Sequence, residues 1–236
     1  MLNSIQLPNT IQLPMSPPRN MSFLREATSP VTEQLVKFFA VFFVVVDPIS
    51  LIPLFAGLTQ GASARFKKKM AGKATVIALG ICVLFALVGA RFLDVMGISL
   101  NAFRIAGGTL LFLIALDMVF ARPSGTRSTT TEQEEAKKRE DISVFPLAFP
   151  FIAGPGALAT ILLTAGEVGA KPLLFAGFLV VVALVLIVCW VLMLATPRLI
   201  RVLGVTGANV VSRLSGVILA ALAVQFIIDG IRGSFL

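Results

Sequence analysis

Two short motifs hold most of the chemistry available to this chain. One is Asp47-Pro48, within Val45-Val46-Asp47-Pro48-Ile49-Ser50; the other is Gly154-Pro155-Gly156, within Ile152-Ala153-Gly154-Pro155-Gly156-Ala157, and each interrupts an apolar run. Proline disfavours helical geometry at the residue before it but suits the first position of a helix, and Asp and Gly both serve as N-caps. The pattern predicts one helix ending near Val46 and restarting at Pro48, and another restarting at Pro155. Two half-helix N-termini meeting there would offer backbone N–H groups and positive dipole ends, which suit the carboxylate of a small zwitterion. Asp47 could hold the ammonium of that zwitterion, a coupling proton or a sodium ion; alternatively it caps its own half-helix with the same oxygens. Ser50 and Thr160 are the polar side chains nearest the breaks, with hydrogen bonding to a neighbouring helix as their competing role.

Two arginines are further candidates. Arg104 and Gly107 in one apolar run, and Arg213 and Gly216 in another, share a spacing of three. They could form a symmetric pair of gate residues or contacts to a substrate carboxylate; otherwise they snorkel to a membrane interface.

Other chemistries are excluded by composition. The chain has no His, so it has no Ser-His-Asp triad, His-ligated metal or imidazole shuttle. Cys82 and Cys189 lie in separate apolar runs without CxxC spacing, as buried thiols do. No GxxxxGK[ST] phosphate-binding loop occurs. No enzyme activity, metal or organic cofactor is expected, only a coupling proton or sodium ion.

These motifs are positioned by an unusually apolar chain. Of 236 residues, 57% are hydrophobic and 14% charged, against about 25% charged in a soluble domain, and mean hydropathy is +0.94. The expected solvent is a lipid bilayer. Runs long enough to cross a hydrocarbon core, which takes about 20 helical residues, are Gln34–Gly57, Gly72–Leu93, Ala102–Phe120, Ser143–Ala165, Leu173–Ala195 and Val210–Ile231. Asp47 is the one acidic residue deep within them. A carboxylate at the bilayer centre costs about 2.5–3.5 kcal/mol on insertion scales, so it is expected to face a cavity or a partner.

The net charge of +8 does not indicate nucleic acid, because the basic residues fall between apolar runs instead of along a polar face. Thirteen of the 20 lie in the loops after the first, third and fifth spans or within the first four residues of the span that follows. Those loops are expected to be cytoplasmic and both termini outward.

The chain divides into a Pro-rich extension (1–30), three spans (31–120), a charged linker (121–142) and three more spans (143–236). The extension lacks the apolar core of a signal peptide and is expected to be disordered, with Met15 and Met21 as alternative starts. In the linker, Glu134 with Lys138 and Glu135 with Arg139 have the i,i+4 spacing of a short solvated helix. The first and third spans of the two halves share their markers, and an odd number of spans per half would invert the second half in the membrane. The expected fold class is an all-α membrane protein: six transmembrane helices as a 3+3 inverted repeat, with helices 1 and 4 broken at Asp-Pro and Gly-Pro-Gly.

Four segments resemble one known family in order: Phe42 to Phe55 around Asp47-Pro48, Phe103 to Gly108, Phe149 to Ala157, and Ala223 to Ile231. They are similar to the MarC family, also described as SnatA-like six-span neutral amino acid transporters of LysE-like build. The resemblance runs from about Gln34 to Gly233. It implies a bacterial or archaeal inner-membrane protein and, for some members, carriage of glycine, alanine or other small neutral amino acids. The expected function is a secondary transporter for such a zwitterion. A passive channel or facilitator, or an exporter of another small metabolite, is the alternative, with drug efflux less favoured. Oligomeric state is not legible in the sequence.

Overall fold

The computed structural model describes residues 30–120, 141–169 and 171–235. The N-terminal extension and nearly all of the linker, including its two i,i+4 pairs, lie outside the described residues. Every regular element among them is helical: α1 (Pro30–Val46), α2 (Leu51–Leu58), α3 (Ala64–Val95), α4 (Leu100–Phe120), a wide-turned π-type stretch (Ser143–Ile152), α5 (Pro155–Val168), and a long run (Pro172–Phe235). That run is interrupted at Gly204, whose φ of 64° and ψ of 170° are not helical; its apolar parts are α6 (Pro172–Val202) and α7 (Asn209–Phe235). Among the described residues five stretches are long and apolar enough to cross a membrane, counting Val31–Leu58 as one. A sixth results if Ser143–Ile152 and α5, bent by 58° at their break, are taken together.

Several boundaries differ from the sequence expectation for physical reasons. α3 begins at Ala64, eight residues before the predicted span, because Ser63 caps it by accepting the Phe66 N–H at 3.2 Å. Its 32 residues rise about 48 Å, so Arg65 to Lys73 form helical turns beyond a hydrocarbon core of about 30 Å. Similarly, the loop expected between spans five and six is mostly helix, broken at Gly204.

The middle of the bundle is α5. Its residues Gly156 to Leu163 are all buried, and a helix apolar all round belongs in an interior. α3 carries a stripe of small buried residues, Ala71, Ala74, Ala78, Cys82, Ala86 and Gly89, and meets α5 at the last of them. A Cβ on Gly89 would lie 2.9 Å from Leu162, and one on Gly107 of α4 would lie 2.8 Å from the Cβ of Ala159. Small residues permit such close helix approach, the main packing device where lipid supplies no hydrophobic drive between helices. α1 lies against α6 through Phe38 and Phe178, with ring centroids 4.7 Å apart. Large apolar side chains such as Val76, Leu84, Phe92, Val180, Ile187 and Leu214 stay exposed on the outer faces, as bilayer contact requires.

α4 and α7 run antiparallel in intimate contact. A Cβ on Gly108 would fall 2.8 Å from the Ala223 carbonyl and 2.9 Å from Ile227; one on Gly216 would fall 3.1 Å from the Ala115 carbonyl and 3.0 Å from Val119. At one end of this pair the Asn101 amide donates to the Gly233 carbonyl.

Candidate functional site

The first break forms around one residue. Asp47 has a φ of +52°, in the left-handed region where Asp and Asn are enriched among non-glycine residues. Its N–H donates to the Phe43 carbonyl at 3.0 Å, the single bond that closes a helix with a left-handed residue just past its C-terminus. Asp47 therefore ends α1 instead of starting the next helix. Pro48 to Ser50 form a turn, and α2 starts at Leu51, three residues later than predicted, with Ser50 as N-cap and no side-chain capping bond. An N-cap normally has extended backbone, which a positive φ precludes. Asp47 is 3% exposed, and Pro48 is buried beside it.

The second break has a different local geometry. Gly154 is the N-cap of α5, with extended φ and ψ of −75° and 172°, and Pro155 opens the helix. The Leu158 N–H reaches the Gly154 carbonyl at 2.9 Å. Gly154 is sterically required, since a Cβ there would lie 2.3 Å from the Pro150 carbonyl oxygen, whereas one on Gly156 would lie 2.4 Å from the end of the Leu111 side chain, which can shift. Upstream, Pro146 and Pro150 follow cis peptide bonds, and Phe145 and Phe149 leave helical geometry. These prolines were visible in the sequence as a second irregularity, and the span-length reading passed over them.

The breaks are neighbours, although not as two N-termini. A Cβ on Gly156 would be 3.4 Å from Val45 Cγ1, so the last turn of α1 lies beside the first turn of α5. The start of α2 faces α7 instead, where the Ser50 and Ser212 hydroxyls are 2.6 Å apart. One helix C-terminus carrying a carboxylate thus adjoins one N-terminus carrying N–H groups. The space between is small: a cavity of about 10 Å³ lined by residues including Val45, Ile114, Ile152, Gly154 and Gly156.

A larger cavity, about 380 Å³, lies further along α5. Thr160 is one of its lining residues, and its wall carries Lys37, Arg104, Thr164, Glu167, Lys171 and Asp229. Thr160 is 1% exposed and its hydroxyl donates to the Gly156 carbonyl at 2.9 Å, about 6 Å of helix rise from that glycine. Arg104 pairs with Glu167, and Asp229 accepts the Gln225 amide at 2.8 Å. Arg213 is exposed and lies toward the other end of the α4–α7 pair, so the two arginines do not meet. Glu167, Lys37 and Lys171 were not singled out from the sequence. The signal was there for Lys37, a charge one turn inside the first apolar run.

On the opposite end of the bundle Lys73 pairs with Asp141, which also accepts the Ser143 hydroxyl at 2.5 Å and the Ser143 N–H at 2.9 Å. The Lys73 hydrogen bond, followed by those from Ser143, holds the Asp141 carboxyl well below the usual carboxylate range.

A bundle of apolar spans, with a buried carboxylate at a helix break and a cavity lined by charged residues, defines a multi-pass integral membrane protein. Residues 32–235 match the family described as MarC family integral membrane protein, and the chain belongs to that family. Among relatives, it is 39% identical over 201 residues to the UPF0056 membrane protein YhcE of Escherichia coli, covering 84% of this chain and 92% of that one. It is 36% identical over 203 residues to the UPF0056 membrane protein YvbG of Bacillus subtilis, covering 85% and 95%. It is also 36% identical over 198 residues to a UPF0056 membrane protein of Archaeoglobus fulgidus, covering 82% and 90%. No solved structure matches the chain.

Proposed function

We propose that this protein is a secondary transporter of the inner membrane, carrying a small neutral amino acid of glycine or alanine type, or a related metabolite, by alternating access coupled to a proton or sodium gradient. The observation that carries the reading is the buried, left-handed Asp47, which ends α1 two residues beyond Val45, where Val45 meets the first turn of α5. The last carbonyls of α1 and the Asp47 carboxylate favour a cation, and the first N–H groups of α5 favour an anion. Adjacent ends of opposite sign match the two charges of a zwitterion. A carboxylate at a helix C-terminus opposes the local dipole, so backbone economy alone does not account for it.

Inverted-repeat build is supported by the contacts of α4 and α7. Adding 108 to the numbers of Gly108, Ala115 and Val119 gives Gly216, Ala223 and Ile227, and the close contacts of Gly108 with Ala223 and Ile227 recur as those of Gly216 with Ala115 and Val119. Such reciprocity is what a two-fold axis between inverted halves produces. The same offset carries Arg104 to Ser212 and not to Arg213, so Ser212 is the equivalent of Arg104. Each reaches the broken span of the other half, Arg104 to Glu167 and Ser212 to Ser50.

With the basic loops cytoplasmic, the 380 Å³ cavity opens outward and the Ser50–Ser212 and Lys73–Asp141 contacts close the inner side. Rocking of the broken spans against the rest would exchange these closures. Uptake of labelled glycine and alanine into proteoliposomes tests the reading: saturable uptake responding to an imposed proton or sodium gradient supports it. Unsaturable, gradient-independent flux would establish a channel instead.

A further inference from the structure

We infer that the 380 Å³ cavity is a carboxylate-binding vestibule in which Arg104 exchanges its internal partner, Glu167, for the carboxylate of an incoming solute. The inference rests on the transporter reading for its purpose, and on the cavity itself for its chemistry.

Three cations, Lys37, Arg104 and Lys171, line the cavity against two carboxylates, Glu167 and Asp229. Of these carboxylates, Asp229 takes the Gln225 amide and Glu167 takes Arg104. Among the described residues Lys37 and Lys171 have no ion-pair partner. The wall thus has a positive excess, which attracts an anionic group. Its volume falls in the range of small-molecule sites, about 300–1,000 Å³, and Phe38, Val41, Leu163, Leu174 and Phe226 give it an apolar side.

The ion pair is unequal in a way that suits exchange. The Arg104 side chain is 18% exposed and that of Glu167 is 58% exposed. Arg104 is held in the wall, and its planar fork accepts a carboxylate through two parallel bonds. Glu167 sits at the rim, where an exposed pair contributes little and the side chain can swing into water. Glu167 also lies in the last turn of α5, where its charge opposes the helix dipole. Removing that charge does not cost the helix, so Glu167→Gln is expected to fold normally. The neighbouring Lys37 and Lys171 would hold the solute carboxylate near the rim before it reaches Arg104. Beyond Arg104 the cavity extends to Thr160, one helical turn from the break at Gly156.

The test is calorimetric titration of the purified full-length protein with propionate, alanine and alaninamide, which carry respectively a carboxylate alone, a carboxylate with an ammonium, and an ammonium without a carboxylate. Propionate and alanine are expected to bind and alaninamide not to bind. Glu167→Gln should tighten carboxylate binding about fivefold or more by removing the internal competitor, and Arg104→Gln should abolish it, with both variants matched to wild type by melting temperature. An Arg104–Glu167 pair that is merely structural predicts no tightening in Glu167→Gln, and that result, or equal binding of alaninamide, overturns the inference. The two readings fail separately. Saturable amino acid uptake with no effect of Glu167→Gln sinks the vestibule and leaves the transporter. Carboxylate binding tightened by Glu167→Gln, with no uptake of any amino acid, keeps the vestibule and sinks the transporter.

Discussion

At the first break the chain turns through Asp47, a left-handed residue with a carboxylate, 3% exposed. At the second it turns through Gly154 in extended geometry, with the Pro150 carbonyl so near that no side chain fits. The first pair, α1 and α2, still passes as one span, whereas the second is bent by 58°. One break therefore places a charge where the backbone would accept glycine, and the other requires glycine where the backbone allows nothing else. The difference separates two roles that the Pro motifs had made look equal. Gly154 is needed to build the second break, whereas at Asp47 the positive φ is one that glycine would also adopt.

The largest expected effect comes from Asp47. Asp47→Asn and Asp47→Gly both keep the positive φ accessible, so each should retain melting temperature in detergent. Loss of a charge-assisted contact worth about 1.5–3 kcal/mol should lower substrate affinity roughly 10- to 100-fold, measured by binding or uptake. Next comes the second break, where Gly154→Ala meets backbone and should fail to reach a stable fold, scored by yield of monodisperse protein. Gly156→Ala meets only the Leu111 side chain, so it should cost about 1–3 kcal/mol and be largely rescued by Leu111→Ala.

A milder effect is expected at the contact between the first break and α7. Ser50→Ala and Ser212→Ala remove the same bond, so the double variant should be no worse than either single one. Interhelical bonds of this kind average about 0.6 kcal/mol in a membrane, best seen as a shift in accessibility of the inner side to a thiol reagent at an introduced cysteine.

The smallest effect is at Lys73–Asp141, exposed on both sides. Because the Asp141 carboxyl is depressed in the folded protein, its contribution is present above the ordinary carboxylate pKa, about 3.9, and is lost as pH falls through the depressed value. Asp141→Asn should thus lower stability at neutral pH by no more than about 1 kcal/mol, read as a small drop in melting temperature, and converge with wild type in acid. A constant difference down to the lowest accessible pH would remove the ion pair from the account.

What the sequence made legible was governed by which features have local causes. Apolar run length set the spans, and proline set the sites of both breaks. The sense of the first break was not legible, because Asp caps either end of a helix depending on a φ that only the packed chain reveals. The Arg104–Glu167 pair and the 380 Å³ cavity join residues 63 apart in the chain, a juxtaposition that spacing cannot disclose. The spacing of three shared by Arg104–Gly107 and Arg213–Gly216 likewise says nothing of where the arginines end up, which is toward opposite ends of the α4–α7 pair.

The central claim is that the Asp47 carboxylate acts on the transported solute and does not merely end a helix. It is tested most directly by saturable uptake of glycine and alanine in proteoliposomes containing wild-type protein or Asp47→Gly, matched for melting temperature and amount. The account predicts saturable uptake by wild type and its loss in Asp47→Gly. Equal uptake by the two proteins would show that glycine, the natural residue for a left-handed helix end, does everything Asp47 does, and would contradict it.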